Sequence, residues 1–454
     1  MGRSEITMPK PENFDKLTPD QKRQARLEAW INHEGIKFTK PEAEKAYRER
    51  AQMFTDVFLM KKPKRVPVAI ATGFFPFVYA GYTCKDAMYD VEKLGNAMKK
   101  FHTDFMPDAA ASAGLYPPGT ALEILDYKLY HWPGHGVPEN TSYQCAEAEY
   151  MKPDEYESYL SDPSDYFIRT YLPRVFGALE PWKELPPFTD LLELPFIPFG
   201  MLPFGLPHIQ ESLKKLMRVG EISLEWAGKI TEIDNSIVTS LGLPKYQGGF
   251  SKAPYDVIAD TMRGTRAIML DIFRKRKEIL EACDRIIPFM TKMPYGAYSW
   301  GAAPTVFFPL HKGADSFMGP KVFKELYWPS FKAVMLNLIN DGMIPFLFVE
   351  GSYNQRLDLI TDPDIPAGST IWYFDKTDMK EVKKHLQGWA CFAGNFPSSL
   401  LKTGTVDQVK THTKQLLDDL AGDGGYYMVN GAVLDEAIPE NLHAFVDTTK
   451  SYKL

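Results

Sequence analysis

PLHKGAD (309–315), FLFVEGSYN (346–354), WYFDKTD (372–378), FAGNFPSS (392–399) and MVNGAVLDE (428–436) are short apolar runs, each ending on polar residues. Helix-like segments separate them. Apolar runs of strand length that alternate with helices at fairly even spacing predict a parallel sheet with crossover helices. When such a sheet closes into a (β/α) barrel, the strand ends and the loops after them carry the chemistry. His311, Asp315, Glu350, Asp375 and Asn395 are therefore expected to converge on one cavity.

Working outward, residues 319–340 predict a helix with Pro329 at a kink or junction, and Asp341-Gly342 turns the chain into the strand IPFLFVE. Thr405 and Gln408 have capping-box spacing and open an amphipathic helix with Val409, Leu416, Leu417 and Leu420 on its apolar face. Residues 1–60 are charged with apolar positions at helical spacing, an N-terminal helical extension packed on a barrel that fills 61–454. KKPKR (61–65) is a solvated lead-in to a first strand at 66–72. FHTDFMPD (101–108) is expected to be the second strand, ending in Asp108. Turn residues Pro133, Gly134, Gly136 and Pro138 break up residues 127–151, which predicts an inserted hairpin or lid within an insertion of about 127–210. Residues 194–210 carry no charge but four prolines, which exclude a continuous helix. They form either a buried irregular connection or an apolar wall over a ligand or a partner's cofactor. Residues 256–293, within and after the stretch APYDVIADTMRGTR (253–266), are expected to be mostly helical.

At 454 residues with 44% hydrophobic content, the chain is long enough for one elaborated barrel with a large core. No stretch offers the roughly 20 uninterrupted apolar residues of a membrane span. MGRSEITMPKPENFDK lacks an apolar signal-peptide core, which points to a cytoplasmic protein. A net charge of −6 argues against a nucleic-acid partner. Cys84, Cys145, Cys283 and Cys391 have no metal-binding spacing and are expected to be reduced, buried or half-buried thiols.

WPGHGVP (132–138), EAEYM (147–151), PLHKGADSFM (309–318), FVEGSYNQRL (348–357), GNFPSSLLKTGT (394–405) and IPEN (438–441) together resemble the uroporphyrinogen decarboxylase-like superfamily, in its corrinoid-dependent methyltransferase branch. The resemblance spans residues 60–446. It implies a distorted (β/α)8 barrel of the TIM type and one of two chemistries: porphyrinogen decarboxylation, or methyl exchange with a corrinoid carried by a separate protein. Decarboxylases of the superfamily carry an arginine-rich N-terminal motif, whereas VAIATGFFPFVYAGYTCKD (68–86) has no arginine to pair with a polyanionic tetrapyrrole. Thiol-methylating relatives carry His-x-Cys-Gly and a later cysteine, which bind zinc. Aligned on the glycine, that place holds Phe348, Val349, Glu350 and Gly351, and Ala432 stands near the late cysteine. A carboxylate in place of a thiolate suits zinc as a Lewis acid toward oxygen, or no metal. The departure points toward removal of a methyl group from a donor onto a Co(I) corrinoid. The chain lacks the Asp-x-His-x-x-Gly corrinoid motif, so the corrinoid is expected on a partner protein.

An ether or amine leaves only if its heteroatom is protonated or coordinated as the bond to the methyl group breaks. Glu350 is the first candidate for that acid, because four apolar residues precede it and desolvation would keep it a proton donor. The alternative is a carboxylate paired with Arg356 or Lys312. His311 would act as acid, hydrogen-bond donor or zinc ligand, or stand as a structural histidine. Asp375 would complete a catalytic or ligand set with His311 and Glu350, and Asp315 would orient His311 or cap the next helix. His135 in its Gly-rich turn, Tyr353, Arg356, Asn395 and Asp108 are the candidates for substrate binding, with Arg356 facing any carboxylate. Glu147 and Glu149 share one strand face as edge salt-bridge partners or site groups. The function expected is methyl transfer from a small methylated donor, an aryl methyl ether favoured, to a partner's corrinoid. A decarboxylase of a small or tetrapyrrole carboxylate and a non-catalytic corrinoid-protein partner are the alternatives, and a homo-oligomer is left open.

Overall fold

In a computed structural model, which describes residues 10–33, 36–190 and 197–454, six strands form one all-parallel sheet. In order they are Gly249–Phe250, Thr305–Leu310, Ile344–Val349, Ile371–Phe374, Cys391–Gly394 and Tyr426–Tyr427. Two extended segments complete the circle. Residues 66–72 bridge in parallel to the last strand at Val68–Met428 and Thr72–Leu434. Asp108 N donates to Val68 O, and Ala110 N donates to Pro244 O just before the strand at 249–250. Eight β segments therefore close into a distorted (β/α)8 barrel.

The second segment begins later than FHTDFMPD predicts. Residues 101–105 end the helix Val91–Phe105, which Asp90 caps by accepting from Glu92 N and Lys93 N. Leu94, Ala97, Met98, Phe101 and Phe105 bury one face at helical spacing, and Met106 adopts a left-handed conformation that stops the helix. Phe101 and Phe105 are four apart, so the same residues that suggested a strand satisfy a helix.

Side-chain alternation sorts the strands. Along Ile344–Val349, positions 344, 346 and 348 pack in the barrel interior with Ile371, Tyr373, Cys391, Ala393 and Tyr427. Leu347 and Val349 face the outer helices. Helices Pro19–Asn32 and Pro41–Phe58 close the barrel's N-terminal end: Trp30, Phe54 and Phe58 belong to that interior cluster, with Phe54 against Tyr246 and Tyr427. Asp341-Gly342 makes the expected turn, with Gly342 at φ +76°, and Pro329 sits in the first turn of Trp328–Asn340. The capping box forms at Thr405 and Gln408.

Between the second and third barrel segments the chain makes a long excursion. Tyr130–Pro133 pairs antiparallel with Gln144–Cys145 and parallel with Gly136–Val137, the small sheet of a lid. The excursion returns along a 35-residue helix, Pro207–Leu241. Of the proline-rich segment, residues 194–196 lie outside the described part. Residues 197–206 form two short helical turns whose Phe199 and Leu202 are 68% and 65% exposed, so this is no buried connection. Among the described residues, no helix is long and apolar enough to cross a membrane.

Candidate functional site

The period of two that fills the barrel also aims the site. Positions 344, 346 and 348 point inward, and so does Glu350 at the next step. The same count carries Tyr373 to Asp375, whereas beyond Ala393 the chain leaves the strand's period at Gly394 (φ +105°) and Asn395 turns to another space. His311 follows Thr305–Leu310, whose Val306, Phe308 and Leu310 face outward. His311, Glu350 and Asp375 line one cavity of about 390 Å³ at the C-terminal mouth, with Lys312, Phe317 and Lys376 beside them and Tyr130 and Cys145 reaching in from the lid.

His311 is the centre of the charge network. Nδ1 donates to Asp260 Oδ2 at 2.6 Å, and Nε2 lies 3.2 Å from Glu350 Oε1. Burial alone would lower the histidine. The hydrogen bonds to Asp260 and Glu350 and the field of Glu350 and Asp256 outweigh it and raise the pKa from 6.5 to about 10. At neutral pH the ring is an imidazolium that donates from both nitrogens. Burial also pushes Asp260 up, but the hydrogen bond from His311 and the Lys252 charge 3.0 Å away hold it at about 2.

Asp260 and Asp256 are the functional residues the sequence did not single out. They belong to Pro254–Asp256 and the π-helical turns Val257–Arg263, four residues apart and on one face. Asp256 is fully buried; its carboxylate accepts from the backbone N–H of His311 (3.1 Å) and Lys312 (2.9 Å) and from the Tyr327 hydroxyl (2.8 Å). One aspartate fixes the backbone and the other fixes the ring. The Asp-x-x-x-Asp spacing in APYDVIAD was the available signal.

Glu350 reaches the cavity, but not the apolar wall expected of it: its side chain is 47% exposed and faces the imidazolium. The group held protonated beside it is His311, whose Nε2 faces Glu350 Oε1. Asp375 is half-buried; burial pushes its carboxyl above the usual range, reinforced by Glu350, while Gly351 N donates to it at 3.3 Å. Lys312 donates to Thr265 Oγ1 at 2.7 Å and lies 3.6 Å from Asp260 and 3.5 Å from Glu147. Glu147 and Glu149, the latter 3.6 Å from Arg263, are the salt-bridge partners that tie the lid to the barrel.

The remaining candidates lie elsewhere. Arg356 is fully buried and donates to the carbonyls of Gly313, Met318 and Gln355 with Asp315 3.5 Å away, so it braces the loop after His311 and does not line the cavity. Tyr353 is fully buried beneath that loop. Asp315 accepts from Ser352 and Gln355 N, neither orienting His311 nor capping the helix, which begins only at Pro320. Asp108 is buried at the opposite end of the barrel, held by Arg65 through two bonds of 2.6 Å and by Arg50 at 3.6 Å. His135 stacks on Trp132 and pairs with Glu123 at 2.7 Å, outside the cavity. Asn395 donates to the carbonyls of Asp375 and Thr377 and lines a second, outer cavity of about 800 Å³.

The uroporphyrinogen decarboxylase (URO-D) family model matches residues 209–452, more than half of the chain. The chain belongs to this family. A solved structure, a methyltransferase from Methanosarcina mazei, is similar at a TM-score of 0.55 and 15% identity, covering 89% of this chain and 98% of that one. That likeness is one of fold. No curated protein matches the chain.

In this family member the donor set at the mouth does not fit zinc. Both ring nitrogens of His311 are engaged by carboxylates, Nδ1 by Asp260 and Nε2 by Glu350. Burial, reinforced by Glu147 and Asp260, pushes the Cys145 thiol up and away from thiolate. Among the described residues, no group of three or more His, Cys, Asp or Glu is arranged to hold a metal ion. Cys145, expected at least half-buried, is the one exposed cysteine among the described residues.

Proposed function

We propose that this protein moves a methyl group from a small methylated donor, an aryl methyl ether favoured, to the cobalt of a corrinoid carried by a separate protein. The observation that carries this reading is the Asp260–His311–Glu350 chain lining the cavity at the barrel mouth. In the step, the bond between the methyl carbon and the donor oxygen breaks, the electron pair stays on oxygen, and the proton on His311 Nε2 passes to it. The methyl carbon goes to the reduced corrinoid, which enters as the second substrate and supplies the nucleophile.

His311, raised to about 10 while Glu350 faces it, lies in the range of a phenolic oxygen, whose own pKa is about 10, so a phenolate is a leaving group it can protonate. An alkoxide leaving group is far more basic and gains less from a matched acid. Glu350 holds the Nε2 proton until the donor oxygen takes its place, and Asp260 keeps the ring aimed. Tyr130 and Phe317 supply aromatic surface for an aryl donor. The exposed Phe199, Met201, Leu202 and Leu206 are the surface favoured for the corrinoid protein.

Porphyrinogen decarboxylation is disfavoured because, among the described residues, no arginine lines either cavity. The test is to mix the protein with a Co(I) corrinoid protein and a panel of aryl methyl ethers, methylamines, methyl thioethers and halomethanes, following the visible absorbance as Co(I) is consumed. Consumption with an aryl ether is the expected outcome. No reaction with any donor class, alongside CO2 release from a carboxylate, sinks the reading.

A further inference from the structure

The inner cavity and the outer cavity share Asp375 and Lys376. Among the described residues three lysines line these two spaces, and two of them are already matched to carboxylates. Lys312 sits with Asp260 and Glu147, and Lys380 lies 3.3 Å from Asp419. Among the described residues, Lys376 has no carboxylate within 4.0 Å of its ammonium. The neighbouring Asp375 accepts from Gly351 N at 3.3 Å and feels the Lys376 charge without forming an ion pair with it.

The backbone beneath Lys376 is well held while its side chain is exposed. Lys376 N donates to Gly351 O at 3.0 Å, Asp375 N donates to Val349 O at 3.2 Å, and the Thr377 hydroxyl accepts from Tyr353 N at 3.0 Å. A fixed base and a free ammonium at the junction of two chambers suit recognition of a charge at the far end of a ligand from His311. Arg356, the residue the sequence offered for this role, is consumed by backbone carbonyls.

We propose that Lys376 is a specificity-determining residue that pairs with a carboxylate on the methyl donor, so that the donor is an anionic, methoxylated aromatic acid lying across the junction with its ether oxygen toward His311. This rests on the methyl-transfer reading above. A lysine–carboxylate pair adds affinity that the uncharged analogue lacks, a charge-assisted bond corresponding to about ten-fold or more in Kd.

Calorimetric titration of the isolated full-length protein with para-methoxybenzoate and with the uncharged para-methoxybenzyl alcohol tests it. The wild type is expected to bind the acid about ten-fold tighter than the alcohol. Lys376→Gln removes that preference and leaves the alcohol's Kd within two-fold, and Lys376→Glu reverses it. The exposed position lets both variants fold, checked by an unchanged Tm. Equal binding of the acid by wild type and Lys376→Gln, a wild type that prefers the alcohol, or a wild type that binds neither probe overturns the proposal. Consumption of Co(I) with uncharged aryl ethers in the wild type would then show that the methyl-transfer reading survives without it.

Discussion

Asp260→Asn removes one negative charge and keeps the side chain's shape and an acceptor. In the wild type that charge lies 2.6 Å from His311 Nδ1 and 3.0 Å from Lys252 Nζ, with Lys312 at 3.6 Å. An opposite charge at such a distance moves a pKa by about 1–3 units, and the Asp260 side chain is only 12% exposed, which puts its effect at the upper end. His311 should therefore fall from about 10 to between about 7 and 8. At pH 9 the wild-type ring is about nine-tenths protonated and the variant's about one-tenth at most. Turnover of an aryl ether should accordingly hold level from pH 7 to 9 in the wild type and drop about ten- to fifty-fold over that range in the variant. The direct assay is an NMR titration of the histidine ring carbons, with His311 assigned through His311→Gln. A His311 midpoint within half a unit of the wild type in Asp260→Asn would refute the clamp.

Stability follows the same pair with opposite signs at its two ends. His311 is raised from 6.5 to about 10, so its share is complete below 6.5 and is lost as pH rises through about 10. Asp260 is lowered from 3.8 to about 2, so its share is complete above 3.8 and is lost as pH falls through about 2. These are one interaction and count once. Losing it should cost about 2 kcal/mol, less than a fully buried pair because Glu350 still faces the ring and asparagine still accepts.

Glu350→Gln removes the counter-ion of His311 Nε2 and should lower turnover at least about ten-fold with little change in Tm; full activity would make Glu350 a bystander. Asp108→Asn strands Arg65 and Arg50 around a buried amide and should cost about 3–5 kcal/mol in urea unfolding, with donor Kd unchanged, whereas weakened binding at intact stability would restore Asp108 as a substrate group. Arg356→Lys cannot fork to three carbonyls and should lower stability by about 2 kcal/mol by thermal unfolding; an unchanged Tm would mean the loop holds itself.

The barrel's second half was legible because each strand is a continuous apolar run with one polar residue at its end, and a period of two leaves no freedom in where that residue points. Glu350 and Asp375 follow from Phe348 and Tyr373, while Asn395, past Gly394 at φ +105°, lines the outer cavity instead. Arg356 did not, because past Gly351 the chain leaves the strand's period and curls under the loop at 313–318. Asp260 did not either, since it lies 51 residues before its histidine on a helical segment, and nothing local marks the pairing beyond its spacing from Asp256. The lid's function was written only in composition: turn residues at 133–138 foretold a hairpin, but not that Tyr130 and Cys145 would enter the cavity.

The carboxylate at 350 and the aspartate pair at 256 and 260 make sense only together. A strand-end histidine held by its backbone alone keeps a free ring torsion and a near-neutral pKa, which suits a metal ligand once a thiolate stands opposite. Clamping the ring with a second aspartate converts it to an imidazolium, and a thiolate-bound divalent cation beside an imidazolium would be repelled. A carboxylate at 350 is the group that coexists with that charge, accepting its proton at 3.2 Å instead of sharing a metal with it. Glu350 and Asp260 thus act on His311 as one unit, which under the proposed reaction serves to protonate a leaving oxygen. Changing only one of the two should therefore not build a metal site. Glu350→Cys in the presence of Asp260 should not gain tight zinc binding, measured by competition with a chromogenic chelator, whereas Glu350→Cys combined with Asp260→Asn frees His311 to lose its proton and should gain it.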